Sequence, residues 1–235
     1  MNKLIVVTGG TKGIGKAVIE KFASDGFDVA TCARNQHDLE TLEREFSEKY
    51  RECKVSIVRA DMAVKEEVTS FCDFVQALHR DVDVLVNNAG YFIPGEIVTE
   101  PEGTLESMIN ANLYSAYYMT RGIVPAMKLK KAGHIFNICS IASIKAYPNG
   151  GSYAISKSAM LGFSRCLREE LKADNIRVTA VMPGATLTAS WAGTDLPDER
   201  FMKVEDIAKT IHGAYHLSGH SVVEEIIIRP QLGDI

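Results

Sequence analysis

Tyr153-Ala154-Ile155-Ser156-Lys157 sets a phenol and an ammonium four residues apart. On a helix that spacing puts both groups on one face, one turn apart. A phenol with a pKa near ~10 is a weak acid–base catalyst at neutral pH. A neighbouring ammonium stabilises the phenolate and brings that pKa nearer the working range. The spacing is common by chance, so it needs partners. Ser140 supplies one, closing the apolar run from His134 to Cys139; a hydroxyl there can hydrogen-bond a substrate oxygen as negative charge develops on it. Asn112, inside Asn110-Ala111-Asn112-Leu113, is locally unfavourable in mid-helix, which hints at a role of its own. The set is suited to moving a proton on or off a substrate oxygen.

A second constellation lies near the start. Thr8-Gly9-Gly10-Thr11-Lys12-Gly13-Ile14-Gly15 follows the strand-like Leu4–Val7 and opens a helix that runs through Ala23. Glycines there let the backbone turn tightly and approach a pyrophosphate, whose charge sits at the helix N-terminus. The spacing is G-x-x-x-G-x-G rather than G-x-G-x-x-G, and a plain strand-to-helix turn is the alternative. An acidic residue ending the next strand would bind a ribose 2′-hydroxyl and repel a 2′-phosphate. This chain has Ala33-Arg34 there and Lys12 in the loop. Two cations and no carboxylate favour NADP(H), the alternative being that both are solvated surface charges.

The elements that must hold these groups alternate along the chain. Strands are expected at 4–7, 28–32, 55–58, 82–86, 134–139, 177–181 and 222–228. Helices are expected at about 36–50, 64–78, 104–127, 153–172 and 204–215, besides the first one. Continuous apolar strands between helices predict a parallel sheet covered on both faces. No linker, repeat or low-complexity tract divides the chain, so residues 1–235 read as a single doubly wound (Rossmann) α/β domain with a seven-stranded parallel sheet. The helix at 104–127 (Leu105, Met108, Leu113, Tyr114, Tyr117, Tyr118, Met119) and that at 153–172 (Ile155, Ala159, Met160, Phe163, Cys166, Leu167, Leu171) are apolar over more than one face. That predicts either a deep core or, as favoured here, an interface building a homodimer or homotetramer.

Among 235 residues, 26 are Lys or Arg and 30 Asp or Glu, a net charge of −4 that argues against nucleic acid or an anionic membrane as partner. The five cysteines (Cys32, Cys53, Cys72, Cys139, Cys166) form no C-x-x-C pair and suit a reducing compartment, with thiols that are structural. No residue set is assigned to a metal. Leu4–Val7 is too short for a signal-peptide core, and no apolar run reaches membrane-spanning length. The expected location is cytoplasmic.

Taken in order along the chain, these motifs resemble those of the short-chain dehydrogenase/reductase family over essentially the whole length. The family's T-G-x-x-x-G-x-G matches Thr8 to Gly15, its N-N-A-G matches Asn87 to Gly90, and its P-G-x-x-x-T matches Pro183-Gly184 through Thr188. The resemblance implies catalytic roles for Asn112, Ser140, Tyr153 and Lys157. Tyr153 would protonate the substrate oxygen while C4 of the nicotinamide delivers hydride. Lys157 would bind the nicotinamide ribose and lower the tyrosine pKa, Ser140 would orient the carbonyl, and Asn112 would help hold a water in a relay to Lys157. It implies cofactor contacts at Gly9, Thr11, Lys12, Gly13, Ile14, Gly15, Arg34, Asp61, Met62, Asn88, Ala89, Gly90, Tyr153, Lys157, Pro183, Gly184, Thr186 and Thr188. Thr188 would meet the nicotinamide carboxamide and Asp61 would lie near the adenine.

Substrate-pocket residues are expected from the loops after the fourth, fifth and sixth strands: Tyr91, Phe92, Ile141, Tyr147 and Trp191, with Ile93 and Met182 beside them. The stretch 187–201 reads as a mobile lid. The ending Val222–Pro230 and Thr188-Ala189-Ser190-Trp191 are similar to bacterial sepiapterin reductases and related carbonyl reductases. The expected substrate is therefore a small ketone or alcohol. Reduction of 3-oxoacyl groups on acyl carrier protein is the alternative, though only scattered cations such as Lys128, Lys130 and Lys131 offer such a carrier a surface. A dinucleotide-binding sensor without turnover is disfavoured because Tyr153 and Lys157 are both present.

Overall fold

A computed structural model describes residues 2–191 and 193–235. Seven strands, β1 (Leu4–Thr8), β2 (Asp28–Ala33), β3 (Val55–Arg59), β4 (Val84–Asn87), β5 (Gly133–Ile138), β6 (Ile176–Pro183) and β7 (Glu225–Ile228), form one sheet in the order β3-β2-β1-β4-β5-β6-β7. Every ladder is parallel, with Val7 between Thr31 and Val86 across the centre. Parallel neighbours need crossovers, and the helices supply them: α1 (Gly13–Ala23), α2 (Gln36–Lys49), α3 (Lys65–Ala77), α4 (Thr104–Ile109), α5 (Ser115–Lys130), α6 (Gly151–Leu171) and α7 (Val204–Tyr215).

Residues of β1 divide by parity between two cores. Ile5 and Val7 pack with Phe22 of α1, Phe46 of α2 and Ile211 of α7, whereas Leu4 and Val6 pack with Phe71 of α3, Met119 of α5 and Leu171 of α6. Both faces are dry, which is why this strand is apolar throughout rather than alternating. Burying each such side chain contributes about 1.5–3 kcal/mol relative to exposure. The strand order reverses direction between β1 and β4, and a doubly wound sheet opens its crevice at that point.

The structure adds detail to three expectations. The stretch 104–127 is helical throughout and runs on to Lys130, but a π-turn at Asn110–Tyr114 that contains Asn112 divides it into α4 and α5, the kind of insertion helices carry near functional sites. The last strand begins at Glu225 rather than Val222, and the Val223 carbonyl instead accepts from the Thr179 hydroxyl at 2.6 Å. The stretch expected as a lid, 187–201, has a pinned base. Leu187 donates its N–H to the Met202 carbonyl and Met202 its own to Ala185, while Trp191 packs on Phe201 at 5.1 Å. Ala192, within that stretch, lies outside the described residues. Among the described residues, no helix is long and apolar enough to cross a membrane.

Candidate active site

A cleft of about 860 Å³ opens above the carboxyl ends of the central strands. Its floor on one side is the glycine loop. Gly9 and Gly13 have φ of +70° and +56°, which L side chains rarely adopt, and a Cβ on Gly15 would stand 2.3 Å from the Gly9 carbonyl. The loop therefore closes on itself only with glycine at that position. Asn88 holds it shut, donating its side-chain N–H to the carbonyls of Thr8 (2.9 Å) and Gly9 (3.1 Å). No side chain caps the first turn of α1, so its amides are available to an anion at the positive end of the helix dipole. Lys12 and Arg34 border this end of the cleft, and Asp61 and Met62 line the wall beyond β3. A cradle of glycine backbone, a bare helix N-terminus and flanking cations fit a phosphorylated dinucleotide.

The other end holds the proton-transfer candidates. The Lys157 ammonium, buried, donates to the Ile138 carbonyl at the tip of β5 (2.8 Å) and lies 5.8 Å from the centre of the Tyr153 ring. Ser140 follows β5 in extended backbone and caps the short turn Ile141–Ser143, its hydroxyl accepting from the Ala142 N–H at 3.1 Å. Ser143 then ties this turn to α6, donating to the Lys157 carbonyl at 2.8 Å. Phe92 meets the Tyr153 ring edge-on at 4.9 Å. Tyr153, Ser140 and Lys157 thus converge from two elements on the cleft that the glycine loop lines.

The amino-acid pattern of the short chain dehydrogenase family matches residues 3–197. The chain belongs to the short-chain dehydrogenase family. It is 31% identical over 243 aligned positions to sepiapterin reductase of Chlorobaculum tepidum, covering 100% of this chain and 99% of that one. Its fold is similar to an alcohol dehydrogenase of the archaeon Thermococcus sibiricus, solved with 5-hydroxy-NADP (TM-score 0.91, 27% identity, 98% and 97% of the two chains). L-sorbose reductase of Gluconobacter frateurii, solved with NADPH and L-sorbose, is similar too (TM-score 0.90, 27% identity, 97% and 95% covered). The family is one of oxidoreductases, and the chain is an oxidoreductase by membership.

Within this short-chain dehydrogenase most of the expected residues meet, with instructive exceptions. Asn112 is buried and its side chain does not line the cleft. Its amide accepts from the Tyr91 N–H (2.9 Å) and donates to the Tyr91 carbonyl (3.0 Å) and the Ser156 hydroxyl (2.9 Å). The π-turn aims it sideways, as a clamp between the loop after β4 and α6. Gly15 shapes the loop without facing the cleft, Met182 is buried beneath it and Ile93 lies outside its lining; Tyr91, Phe92, Ile141, Tyr147 and Trp191 do line it, as do Pro183, Gly184, Thr186 and Thr188.

The electrostatics also differ from expectation. Burial pushes the Tyr153 phenol up to about 12, against a downward pull from the Ser140 hydroxyl, and pushes the Lys157 ammonium down to about 8. Desolvation is the leading cause of both shifts. Burial likewise raises the thiols of Cys32 (about 12), Cys72 and Cys139 (both about 11), which keeps them protonated, whereas Cys166 is exposed on α6.

Three groups escaped the sequence. Asp38 faces the cleft and holds the Lys12 ammonium at 2.6 Å, so the carboxylate missing from the end of β2 arrives from the first turn of α2. Its position three residues past the Asn35 N-cap was the available signal. Lys145 and Asp234 pair at 3.0 Å on the cleft rim, with Arg229 bonding Asp234 through Nε at 2.8 Å. Their separation by 89 residues left no local trace. Ser143, the tie between turn and helix, looked like loop composition.

Proposed function

We propose that this chain is an NADP(H)-dependent reductase of small carbonyl compounds, working in reverse on the corresponding alcohols. The observation that carries the reading is the convergence of Tyr153, Ser140 and Lys157 on the cleft whose far end is the glycine cradle with Lys12 and Arg34. Bound nicotinamide supplies the hydride. The protein residues do the rest. Ser140 donates to the substrate oxygen, and Tyr153 gives that oxygen its proton. The phenol is protonated at neutral pH, the state an acid needs, and its transfer of the proton relies on the Lys157 ammonium and the Ser140 hydroxyl beside it. Lys157, anchored on the Ile138 carbonyl, presents its ammonium beneath the phenol and against the bound ribose. Lys12 and Arg34 receive the 2′-phosphate.

Phe92, Ile141, Tyr147 and Trp191 give the substrate end an apolar, aromatic wall, which supports a compact ketone with ring or alkyl substituents. The likeness to sepiapterin reductase supports the same class. Leu105, Tyr114, Tyr117 and Ile155 are exposed on the α4–α5 and α6 surface while Met108, Met119 and Met160 fill the core. The broad apolar character of these helices thus splits between core and surface, which supports pairing of two copies through that surface. The unpaired thiols fit a cytoplasmic setting.

The test is NADPH oxidation against sepiapterin, diketones and acetoacetyl thioesters, with NADP+ reduction by 3-hydroxy acids for the reverse direction. Reduction of small ketones or diketones is expected. Preferential turnover of the thioester would move the assignment to 3-oxoacyl reduction, and no turnover with tight NADPH binding would make the chain a sensor. Tyr153→Phe should lose about 10²–10⁴-fold in kcat with NADPH binding retained, and substantial activity in that variant would sink the mechanism.

A further inference from the structure

At the end of the molecule away from the cleft, His212 and His216 project from the last turn of α7 towards Asp25, which lies just beyond α1. Their Nε2 atoms are 3.0 Å apart, and the Asp25 Oδ2 stands 3.3 Å from His212 and 2.9 Å from His216. These edges form a nearly equilateral triangle. A tetrahedral cation with bonds of about 2.0–2.1 Å separates its ligand atoms by about 3.3 Å. The triangle is therefore one face of such a tetrahedron, with the fourth corner towards solvent. A shared proton satisfies one edge at a time, whereas a cation above the centre satisfies all three.

The surroundings favour a cation as well. The site lies where α1 and α7 both end, and helix C-termini carry partial negative charge. Edge-on contact with Phe22 at 5.2 Å fixes the His212 ring, so one ligand is preorganised in a packed core. His216 and Asp25 are about half exposed, at 45% and 42%, which leaves a path for an ion and a water. None of the three residues lines the cleft, and the length of α1, about 16 Å, separates Asp25 from the glycine loop.

We propose that Asp25, His212 and His216 form a binding site for a borderline transition-metal ion, Zn(II) in the first place, which staples the end of α1 to α7. Two imidazoles and one carboxylate suit Zn(II), Ni(II) or Cu(II), and not Mg(II) or Ca(II), which take oxygen shells. The ion has no part in proton or hydride transfer; it links two helices that border the cofactor loop and follow the substrate loop. In the sequence the signal was His-x-x-x-His on a helix, which means little until Asp25 is brought to it from 187 residues away.

The test uses full-length protein stripped with EDTA and titrated with ZnCl2 alone. Calorimetry should find one site. At ten times the measured Kd the melting temperature should rise by about 3–6 °C. Asp25→Asn, at an exposed position that leaves packing intact, should weaken binding at least about tenfold. His216→Gln should remove the thermal shift. Co(II) in place of Zn(II) should give the intense visible bands of a tetrahedral site without sulfur-to-metal charge transfer. An equal thermal shift in His216→Gln, a thiolate band reporting Cys166, or no heat of binding in the wild type would each overturn the proposal.

Discussion

Replacing Lys157 by Met should make the protein more stable while abolishing turnover. The ammonium is 5% exposed and its pKa is lowered to about 8 from the ordinary 10.5, with desolvation as the leading cause. Holding it charged in the fold at pH 7 therefore costs about 3 kcal/mol. The hydrogen bond to the Ile138 carbonyl, lost in the variant, offsets part of this, and a net gain of about 1–2 kcal/mol is expected. The pH dependence separates this cause from better packing. Between the folded pKa of about 8 and the unfolded 10.5 the unfolded chain binds more protons, so wild-type stability rises with pH across that window. From pH 7 to pH 9 this one group adds about 1 kcal/mol to the wild type and nothing to the variant. Urea unfolding of both proteins at the two pH values measures the difference, in which other titrations cancel. A variant that is less stable at pH 7, or a gap that does not narrow towards pH 9, would show that the buried ammonium carries no such cost.

Other consequences follow from the same geometry. Gly15→Ala, whose Cβ would sit 2.3 Å from the Gly9 carbonyl, should reshape the loop and raise the NADPH dissociation constant at least about tenfold by fluorescence titration; unchanged affinity would show that the loop has slack. Asn112→Ala strands the Tyr91 N–H and carbonyl and should cost about 2–3 kcal/mol in urea unfolding. Wild-type stability with lost turnover would instead place Asn112 in the reaction itself. Arg34→Ala should lower the NADPH-to-NADH ratio of kcat/KM by about tenfold. Asp38→Asn, by freeing Lys12, should raise kcat/KM for NADPH by about two- to fivefold, the range of an exposed ion pair; equal effects of the two substitutions on both cofactors would remove these residues from cofactor choice.

Much of the architecture was legible because it is written in short periods. Continuous apolar strands and amphipathic helices announced a sheet buried on both faces, and α7 spans the residues expected for it. The glycine loop was readable because its conformation is imposed by residues within eight positions of one another. The helix at 104–127 was legible but the π-turn inside it was not, because that turn adds one residue to the ladder without disturbing the apolar pattern. The direction of the Tyr153 shift was misread for a different reason: spacing places an ammonium near a phenol, but only packing sets how much water both lose.

The doubly wound fold, the glycine cradle and the one-turn spacing of Tyr153 and Lys157 were readable from the residues alone, because each depends on backbone geometry over a few residues. Long-range packing brings Asn112 to Tyr91, Asp38 to Lys12, Asp234 to Lys145 and Asp25 to His212 and His216. Those pairings join side chains from elements whose relative placement is set by how the helices bury their apolar faces on the sheet. No local period encodes that distance, and the chemistry at both ends of the molecule depends on it.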